Sequence, residues 1–484
     1  MRINKAAIER VCDKVIEYSF YMLLFFLPSS KAIIELTSTL IILAWLIKKL
    51  TCIKTQELSL RDSPSLFAAT TTSLILLIPL AAVISSAFYN QHLNLRLQTP
   101  VPLLWAAVDS LILITPLALF FISAFSAKRF NFNLKMSIIS FLIVTIVTSM
   151  FTSRYPEISL GAFFFKTLQY LLTFFIVSEA INTRRRLINA LIVIFVSSFI
   201  TGLDGIYQQV FGHDLFRNFP LFADVKVSAT FQFSNNFGTY IATILPVPIG
   251  LLFYKVTGKK MRFILFGLCV LLGVCLLLTQ ARGAWLGFIF GFLLIAFFHS
   301  RKSFLTAVCI LISFGFLAIS FSPPIVKEQI RSFANLKMDQ STGDRMIIWK
   351  TAWRMFLEKP VLGNGLGTFM KVFEKTKPAS YHEIVYAHNC FLQTAAETGI
   401  VGLFIFLWLV FSVLRAAIRK FFILEDLFLK AVTIGLFGGI AAYLINSFFD
   451  TCLYSLPLAV LFWAAIGLAA AEINPVKEQS SLTG

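Results

Sequence analysis

Long apolar runs are the feature that most constrains this chain. About 14 of them, each able to cross or nearly cross the hydrocarbon core of a bilayer, follow one another along its 484 residues. Charged residues make up only 14% of the chain, against about 25% in soluble domains. Because a spanning helix satisfies its own backbone hydrogen bonds, the sequence predicts an all-α polytopic membrane protein. The predicted spans lie at roughly 15–28, 31–47, 66–87, 102–125, 136–152, 160–180, 187–206, 236–254, 263–280, 284–298, 303–322, 396–414, 429–448 and 454–471.

The net charge of +18 is distributed in short clusters between these runs. The clusters fall in alternate connections, so the positive-inside rule predicts that those connections and both termini are cytoplasmic. This distribution accounts for the charge without a nucleic-acid partner, and membrane lipids are the expected surroundings. No small-residue cleavage site follows the first run, so we expect an uncleaved first span rather than a signal peptide. The clustered residues are Lys48, Lys49, Lys54, Arg61, Lys128, Arg129, Lys135, Arg184, Arg185, Arg186, Lys255, Lys259, Lys260, Arg262, Arg301, Lys302, Arg415, Arg419 and Lys420.

One connection on the opposite side of the membrane is far longer than an ordinary connection. It covers residues 323–395, and loops of this length are usually functional. The chain thus divides into an N-terminal transmembrane region of about 11 helices (1–322), a long loop on the non-cytoplasmic side (323–395), and C-terminal transmembrane helices with a short cytoplasmic tail (396–484). We expect the catalytic motifs in the loop.

The first half of this loop has the pattern of an amphipathic helix. Residues 341–344, Ser-Thr-Gly-Asp, are typical of a helix start. Trp349, Trp353 and Phe356 then recur at helical spacing, and Pro360 ends the pattern. We expect this helix to lie against the membrane face.

The second half of the loop holds a glycine-rich turn and a second helical segment. The turn is Gly363-Asn364-Gly365-Leu366-Gly367. The helical segment is expected from His388 to Glu397, running into the next span. On it Asn389, Gln393 and Glu397 repeat every four residues and form one polar stripe, which we expect to support the site.

Five ionisable residues lie within predicted spans or at their outer ends, where charge is costly and often functional. They are Asp109, Lys166, Asp204, Arg282 and Asp450, and each falls in the outer half of its span or at its outer end. Snorkelling at helix ends would also explain Asp204 and Asp450, and an ion pair would explain Asp109 with Lys166. Taken as a set, the five residues predict a polar cavity open to the outside.

Three basic residues with distinctive surroundings suit one kind of reaction. Arg282 stands in a tight turn between two short runs, Arg345 near the start of the loop helix, and His388 at the start of the second helical segment. Two arginines can grip a diphosphate with bidentate charge-assisted hydrogen bonds. An imidazole can take a proton from a hydroxyl at neutral pH. Each residue taken singly is also compatible with a surface, interfacial or capping role.

Neither a metal site nor a cofactor is indicated. The acidic residues of the loop are scattered, and the seven cysteines show no metal-ligand spacing and no disulfide framework. We therefore expect chemistry that depends on no metal and no cofactor.

At these residues the chain resembles the superfamily of O-antigen ligases and polymerases, which are bacterial membrane glycosyltransferases. The resemblance extends over roughly residues 150–475 and rests on motifs in the family's order and spacing. The motifs are Thr279-Gln280-Ala281-Arg282-Gly283-Ala284-Trp285-Leu286-Gly287, Arg345-x3-Trp349, the stretch from Pro360 to Gly367, and His388-Asn389-x9-Gly399. An earlier segment, 226–236, is similar to the family's Arg-x-x-Gly-Thr-Phe-x-Asn-Pro-Asn region. It has Lys226 in place of the arginine and Ala229 in place of the glycine.

The resemblance implies a transfer reaction on a lipid-linked glycan. A glycan would move from an undecaprenyl-diphosphate carrier to an acceptor hydroxyl at the periplasmic face of the bacterial inner membrane. It also implies that His388 is the base and that Arg282 and Arg345 bind the donor diphosphate, with Lys226 as a weaker addition. Asn389, Gln393, Glu397, Asp109 and Lys166 are the expected supporting residues.

Three functions stay open from the sequence. A ligase would use lipid A-core or a similar glycan as acceptor, whereas a polymerase would use a second carrier-linked glycan. The His-Asn-x9-Gly pattern at the end of one long loop favours the ligase. An alternative of another class is a membrane transporter of the inorganic-carbon type. Secondary transporters place their site near the bilayer midplane, where this sequence has no charges.

Overall fold

The computed structural model describes residues 5–59, 117–123, 130–222, 225–321, 340–379, 381, 383 and 385–473. The predicted span 66–87 and most of 102–125 lie outside these residues. The described part is helical and contains two isolated β-bridges but no sheet. The predicted all-α class is therefore confirmed for this part of the chain.

The described residues form sixteen α-helices with the bounds given below, and residues 117–123 are also helical. Short π-helical turns extend α3 and join α4 to α5. In chain order the helices are α1 (Lys5–Phe26), α2 (Lys31–Ser59), α3 (Phe132–Val147), α4 (Pro156–Ala162), α5 (Leu168–Ala180), α6 (Arg184–Phe211), α7 (Ser234–Ile244), α8 (Pro246–Phe253), α9 (Lys259–Leu278), α10 (Arg282–His299), α11 (Arg301–Phe321), α12 (Gln340–Glu358), α13 (Phe369–Thr376), α14 (Cys390–Ile423), α15 (Leu427–Asn446) and α16 (Leu456–Ala470).

Among the described residues, 8 helical segments are long and apolar enough to cross a membrane. Each coincides with one of the predicted spans. The predicted span 454–471 corresponds to the shorter apolar helix α16, while α1, α2 and α11 are helices that fall outside the eight. The eight segments are Phe132–Thr152, Pro156–Ala180, Arg184–Phe211, Ser234–Phe253, Lys259–Leu278, Arg282–His299, Cys390–Ile423 and Leu427–Asn446.

Helices α10 and α15 pack with their backbones almost in contact. A Cβ added at Gly287 would lie 2.3 Å from the carbonyl oxygen of Ala442, and one at Gly291 would lie 2.3 Å from that of Gly438. Small residues four apart allow this close approach between helices. The packing brings Arg282, the first residue of α10, beside the end of α15.

Helices α12 and α13 share a small hydrophobic core of their own. Ile348, Ala352 and Met355 form the buried face of α12. Of the expected aromatic stripe, Trp349 is partly buried against this core, whereas Trp353 is 52% exposed. The core is completed by Phe369, Val372, Phe373, Tyr381, Ala387 and Ala396.

The glycine-rich turn attaches this small core to α14. The amide of Gly365 donates to the carbonyl of Glu397 at 2.8 Å, and the amide of Ile400 donates to the carbonyl of Pro360 at 2.8 Å. Gly399 interrupts the helix with a φ of +69°, and a Cβ there would lie 2.1 Å from the carbonyl oxygen of Val361. Only glycine fits this combination of left-handed backbone and close contact.

Candidate functional site

The turn between α9 and α10 presents Arg282 at a helix start. Helix α9 ends at Leu278 and α10 begins at Arg282, so the expected tight turn is present. The hydroxyl of Thr279 accepts a hydrogen bond from the amide of Ala281 at 3.2 Å. The indole of Trp285 donates to the carbonyl of Leu276 at 2.7 Å across the turn. The surrounding motif residues thus fix the turn that positions Arg282.

The segment carrying Lys226 is fixed next to this turn. The amide of Val227 donates to the carbonyl of Leu278, the last residue of α9, at 3.1 Å. Ala229 has a φ of +48°, a backbone region that favours the glycine of the similar families. The amides of Ser228 and Ala229 both donate to the side-chain oxygen of Gln208 at 2.8 Å, which holds the alanine in this conformation.

Helix α12 connects Arg345 to the segment that precedes His388. The indole of Trp349, one turn after Arg345, donates to the carbonyl of Ala387 at 3.0 Å. The amide of Ala387 in turn donates to the side-chain oxygen of Gln393 at 3.1 Å. Both backbone groups of the residue before His388 are therefore bound by side chains of helices.

His388 lies before α14 rather than at its start. The helix begins at Cys390, and Asn389 caps it by accepting the amide of Leu392 at 2.9 Å. His388 has a φ of +48°, which is uncommon for a residue with a side chain. The prediction that the helical segment begins at His388 is therefore wrong by two residues. Asn389 caps the helix with an extended backbone, so the chain before it, including His388, lies outside the helix.

The imidazole of His388 is paired with Asp450. Its Nδ1 lies 3.4 Å from Oδ1 of Asp450, and their side chains are 36% and 15% exposed. The same carboxylate oxygen accepts the amide of Thr451 at 2.8 Å. The sequence predicted Asp450 as one of the charges of an outward-facing polar cavity and gave no pairing with His388. Its pairing with His388 joins two segments 62 residues apart, for which the sequence offers no periodic signal.

A cavity of about 310 Å³ brings the four sequence-predicted basic residues together. This volume is in the range of small-ligand pockets. Lys226, Arg282, Arg345 and His388 all contribute to its wall, together with Asp450. The remaining lining residues are Phe222, Ser234, Asn235, Gln280, Ala281, Gly283, Asp344, Ile348, Tyr381, Glu383, Val385, Asn446 and Phe449.

One wall of this cavity carries a tyrosine near two carboxylates. Burial raises the pKa of the Tyr381 hydroxyl above its ordinary value, and the negative charges of Glu383 and Asp344 raise it further. The hydroxyl therefore stays neutral at physiological pH and can donate a hydrogen bond to a polar ligand.

The polar stripe behind His388 faces a different part of the molecule. Glu397 is 1% exposed and accepts hydrogen bonds from the amide of Gly367 and the hydroxyl of Tyr454, both at 2.9 Å. Gln393 donates to the same carboxylate at 3.3 Å. Gln393 and Glu397 thus anchor the loop to α14 and do not line the first cavity.

The expectation of one cavity containing all the in-span charges is wrong in detail. Lys166 lines a second cavity of about 110 Å³, together with Glu397, Tyr386 and Tyr454. Asp204 is 2% exposed and accepts the amide of Leu215 at 2.8 Å, away from both cavities. Asp109 lies outside the described residues. Of the four charges among the described residues, Arg282 and Asp450 line the first cavity.

Comparison with known proteins points to one family. Residues 267–407, which include Arg282, Arg345 and His388, match the model of the family described as O-antigen ligase. Over 166 residues the chain is 28% identical to a Rickettsia conorii protein named "Putative polysaccharide ligase". That match covers 33% of this chain and 40% of the relative, so less than half of the relative's length is spanned. The resemblance to the O-antigen ligase family is thereby confirmed over residues 267–407.

Proposed function

We propose that this protein transfers a glycan from an undecaprenyl-diphosphate carrier to an acceptor hydroxyl at the periplasmic face of the bacterial inner membrane. The observation that supports this most is the composition of the first cavity. A histidine paired with a carboxylate shares one cavity with two arginines and a lysine. Such a cavity can hold an anionic leaving group and a proton acceptor at the same time.

Arg282, Arg345 and Lys226 would hold the diphosphate of the donor. Guanidinium groups match phosphate oxygens as bidentate donors, whereas a lysine acts as a point charge. As the bond between the sugar and the diphosphate breaks, negative charge builds up on the leaving phosphate. Positioned cations stabilise that charge more in the transition state than in the ground state. In this mechanism the three basic residues stabilise the leaving diphosphate, and no metal ion is required.

His388 would act as the base toward the acceptor hydroxyl. A hydrogen bond from Nδ1–H to Asp450 fixes the tautomer in which Nε2 carries a free lone pair. Nε2 can then take the proton as the acceptor oxygen attacks the anomeric carbon. The carboxylate of Asp450 stabilises the imidazolium that forms. Holding donor and acceptor in one cavity lowers the entropic barrier to their reaction.

We propose a ligase, with lipid A-core or a similar glycan as acceptor, because the family match and the named relative both refer to ligases. A polymerase would use the same cavity chemistry with a second carrier-linked glycan as acceptor. The two functions therefore differ in the acceptor and not in the residues of the cavity.

A reconstituted assay tests this proposal. The purified protein in liposomes should transfer a labelled glycan from undecaprenyl diphosphate to lipid A-core, seen as a shift of the acceptor on a gel. A ladder of carrier-linked products formed without lipid A-core would identify a polymerase instead. Solute uptake without transfer to either acceptor would contradict the proposal and support a transporter.

The orientation is tested separately. A reporter enzyme that is active only in the cytoplasm, fused after Lys375, should be inactive if the loop is periplasmic. Activity of that reporter would contradict the periplasmic placement of the cavity.

A further inference from the structure

Two buried thiols lie directly beneath the His388–Asp450 pair. Cys390 follows His388 by two residues, and Cys452 follows Asp450 by two residues. Cys390 is 0% exposed and Cys452 is 1% exposed. The segment with His388 and the segment with Asp450 therefore each carry a cysteine two residues further along the chain.

The contacts of these thiols place them next to one another. The thiol of Cys390 donates to the carbonyl of Asp450 at 3.3 Å and accepts from the amide of Leu453 at 3.5 Å. Leu453 follows Cys452 in the chain, so the sulfur of Cys390 contacts the backbone next to Cys452. The amide of Cys390 also donates to the carbonyl of Ser447 at 2.8 Å, which holds the two segments together.

We propose that Cys390 and Cys452 form a disulfide bond in the mature protein, linking the segment that carries His388 to the segment that carries Asp450. The proposal rests on the periplasmic orientation put forward above, because disulfides form and persist in that oxidising compartment. The remaining cysteines with described side chains, Cys12, Cys269, Cys275 and Cys309, belong to other helices.

The oxidation needs a protein disulfide oxidoreductase of that compartment as the electron acceptor. The thiolate of one cysteine attacks a sulfur of the oxidant's disulfide and forms a mixed disulfide. The thiolate of the other cysteine then attacks the mixed disulfide, which creates the S–S bond and releases the oxidant as a dithiol. Two electrons and two protons pass from the cysteine pair to the oxidant.

The bond would form before the fold closes around the two residues. Burial raises the pKa of the Cys452 thiol well above its ordinary value, and the neighbouring thiol of Cys390 raises it further. Because the thiolate is the reactive form, this cysteine reacts slowly in the folded protein. The same burial protects the completed disulfide from reductants in solution.

The link would act as a positioning device for the catalytic pair. Asp450 contacts His388 through one interaction of 3.4 Å, while the two segments come from distant parts of the sequence. A covalent bond two residues away on each side limits how far the carboxylate can move from the imidazole. It also closes a loop from residue 390 to residue 452 in the unfolded chain, which stabilises the fold.

Non-reducing peptide mapping tests the proposal on the full-length protein. Membranes are quenched with N-ethylmaleimide, and the protein is purified without reductant, denatured and digested. Mass spectrometry should find the peptides containing Cys390 and Cys452 joined, and only five of the seven cysteines should be alkylated after denaturation. Recovery of both peptides as separate alkylated species would overturn the proposal.

Two variants and one activity measurement complete the test. Cys309→Ser, which alters an exposed cysteine on α11, should retain the joined peptides. Cys452→Ser should abolish them and lower the midpoint temperature of thermal unfolding. Transfer activity with two alkylated thiols would refute the disulfide and leave the proposed function standing. Joined peptides without transfer would retain the disulfide and refute the function.

Discussion

The indole of Trp349 donates a hydrogen bond to the backbone carbonyl of Ala387 at a distance of 3.0 Å. Trp349 lies one helical turn after Arg345, and Ala387 is the residue before His388. The bond therefore connects the helix of a candidate phosphate-binding arginine to the segment of the candidate base. It gives a structural reason for the Arg345-x3-Trp349 spacing, because one turn is the separation that places both side chains on the same side of α12.

Trp349→Phe should loosen this connection while retaining most of the packing. A neutral hydrogen bond contributes about 0.5–1.5 kcal/mol, so transfer should fall about 2- to 10-fold through kcat. The variant is measured against Trp353→Phe, since Trp353 is exposed on the same helix and should be tolerated. Equal losses in both variants would mean that the hydrogen bond to Ala387 has no special role.

Arg282→Lys and Arg345→Lys should each lower kcat/KM for the lipid-linked donor, although the charge is kept. A hydrogen bond to a charged group contributes about 1.5–3 kcal/mol, so the loss should be about 10- to 100-fold. Lys226→Arg, which introduces the residue usual in the similar families, should keep transfer.

Arg354→Lys is the matched control for these substitutions, because Arg354 is an exposed residue of the same helix as Arg345. It should leave the kinetics unchanged. Full activity of both Arg282→Lys and Arg345→Lys would show that the diphosphate is bound elsewhere.

The positions of Arg282, Arg345 and His388 could be found from the sequence because each stands at or near a helix end with recognisable turn residues. The helices themselves follow from apolar runs, which report local burial in lipid. The face of α12 could not be chosen in the same way. Ile348, Ala352 and Met355 have the same spacing as the aromatic series, so periodicity alone does not decide which series is buried.

Contacts between distant segments were beyond sequence reasoning. Asp450 and His388 are brought together by the packing of α14, α15 and the segment between α15 and α16. Glu397 likewise had the pattern of a site residue, but its hydrogen bonds to the glycine-rich turn give it a structural role. Both outcomes depend on tertiary neighbours, which the order of residues along the chain does not reveal.

Transfer should be insensitive to metal chelation. The basic residues of the first cavity offer positive charge for the diphosphate. Among the described residues, no three acidic, histidine or cysteine side chains are grouped so that they could hold a metal ion. We expect the initial rate in purified liposomes to be unchanged in EDTA. A loss of activity in EDTA that magnesium or manganese restores would assign the diphosphate to a metal ion.

Asp450→Asn should impair catalysis without unfolding the protein. The NH₂ group of an asparagine can donate to Nδ1 and so stabilise the tautomer of His388 that carries its proton on Nε2. The corresponding change in a serine protease lowers kcat about 10⁴-fold. We expect a loss of roughly 10²-fold or more in kcat, with a changed pH profile and little change in donor KM. Partial recovery in Asp450→Glu would support positioning, whereas an unchanged pH profile in Asp450→Asn would argue for a merely structural role.

The assignment of His388 as the base is tested most directly by His388→Ala in the purified transfer assay. Protein level and membrane insertion should be unchanged, while transfer falls roughly 10²–10⁴-fold, the range for loss of general acid–base help. His213→Ala is the matched control, because His213 lies in another connection and does not line the first cavity. That control should retain full activity. Near-full transfer by His388→Ala with a defined lipid-linked donor would contradict the proposed mechanism.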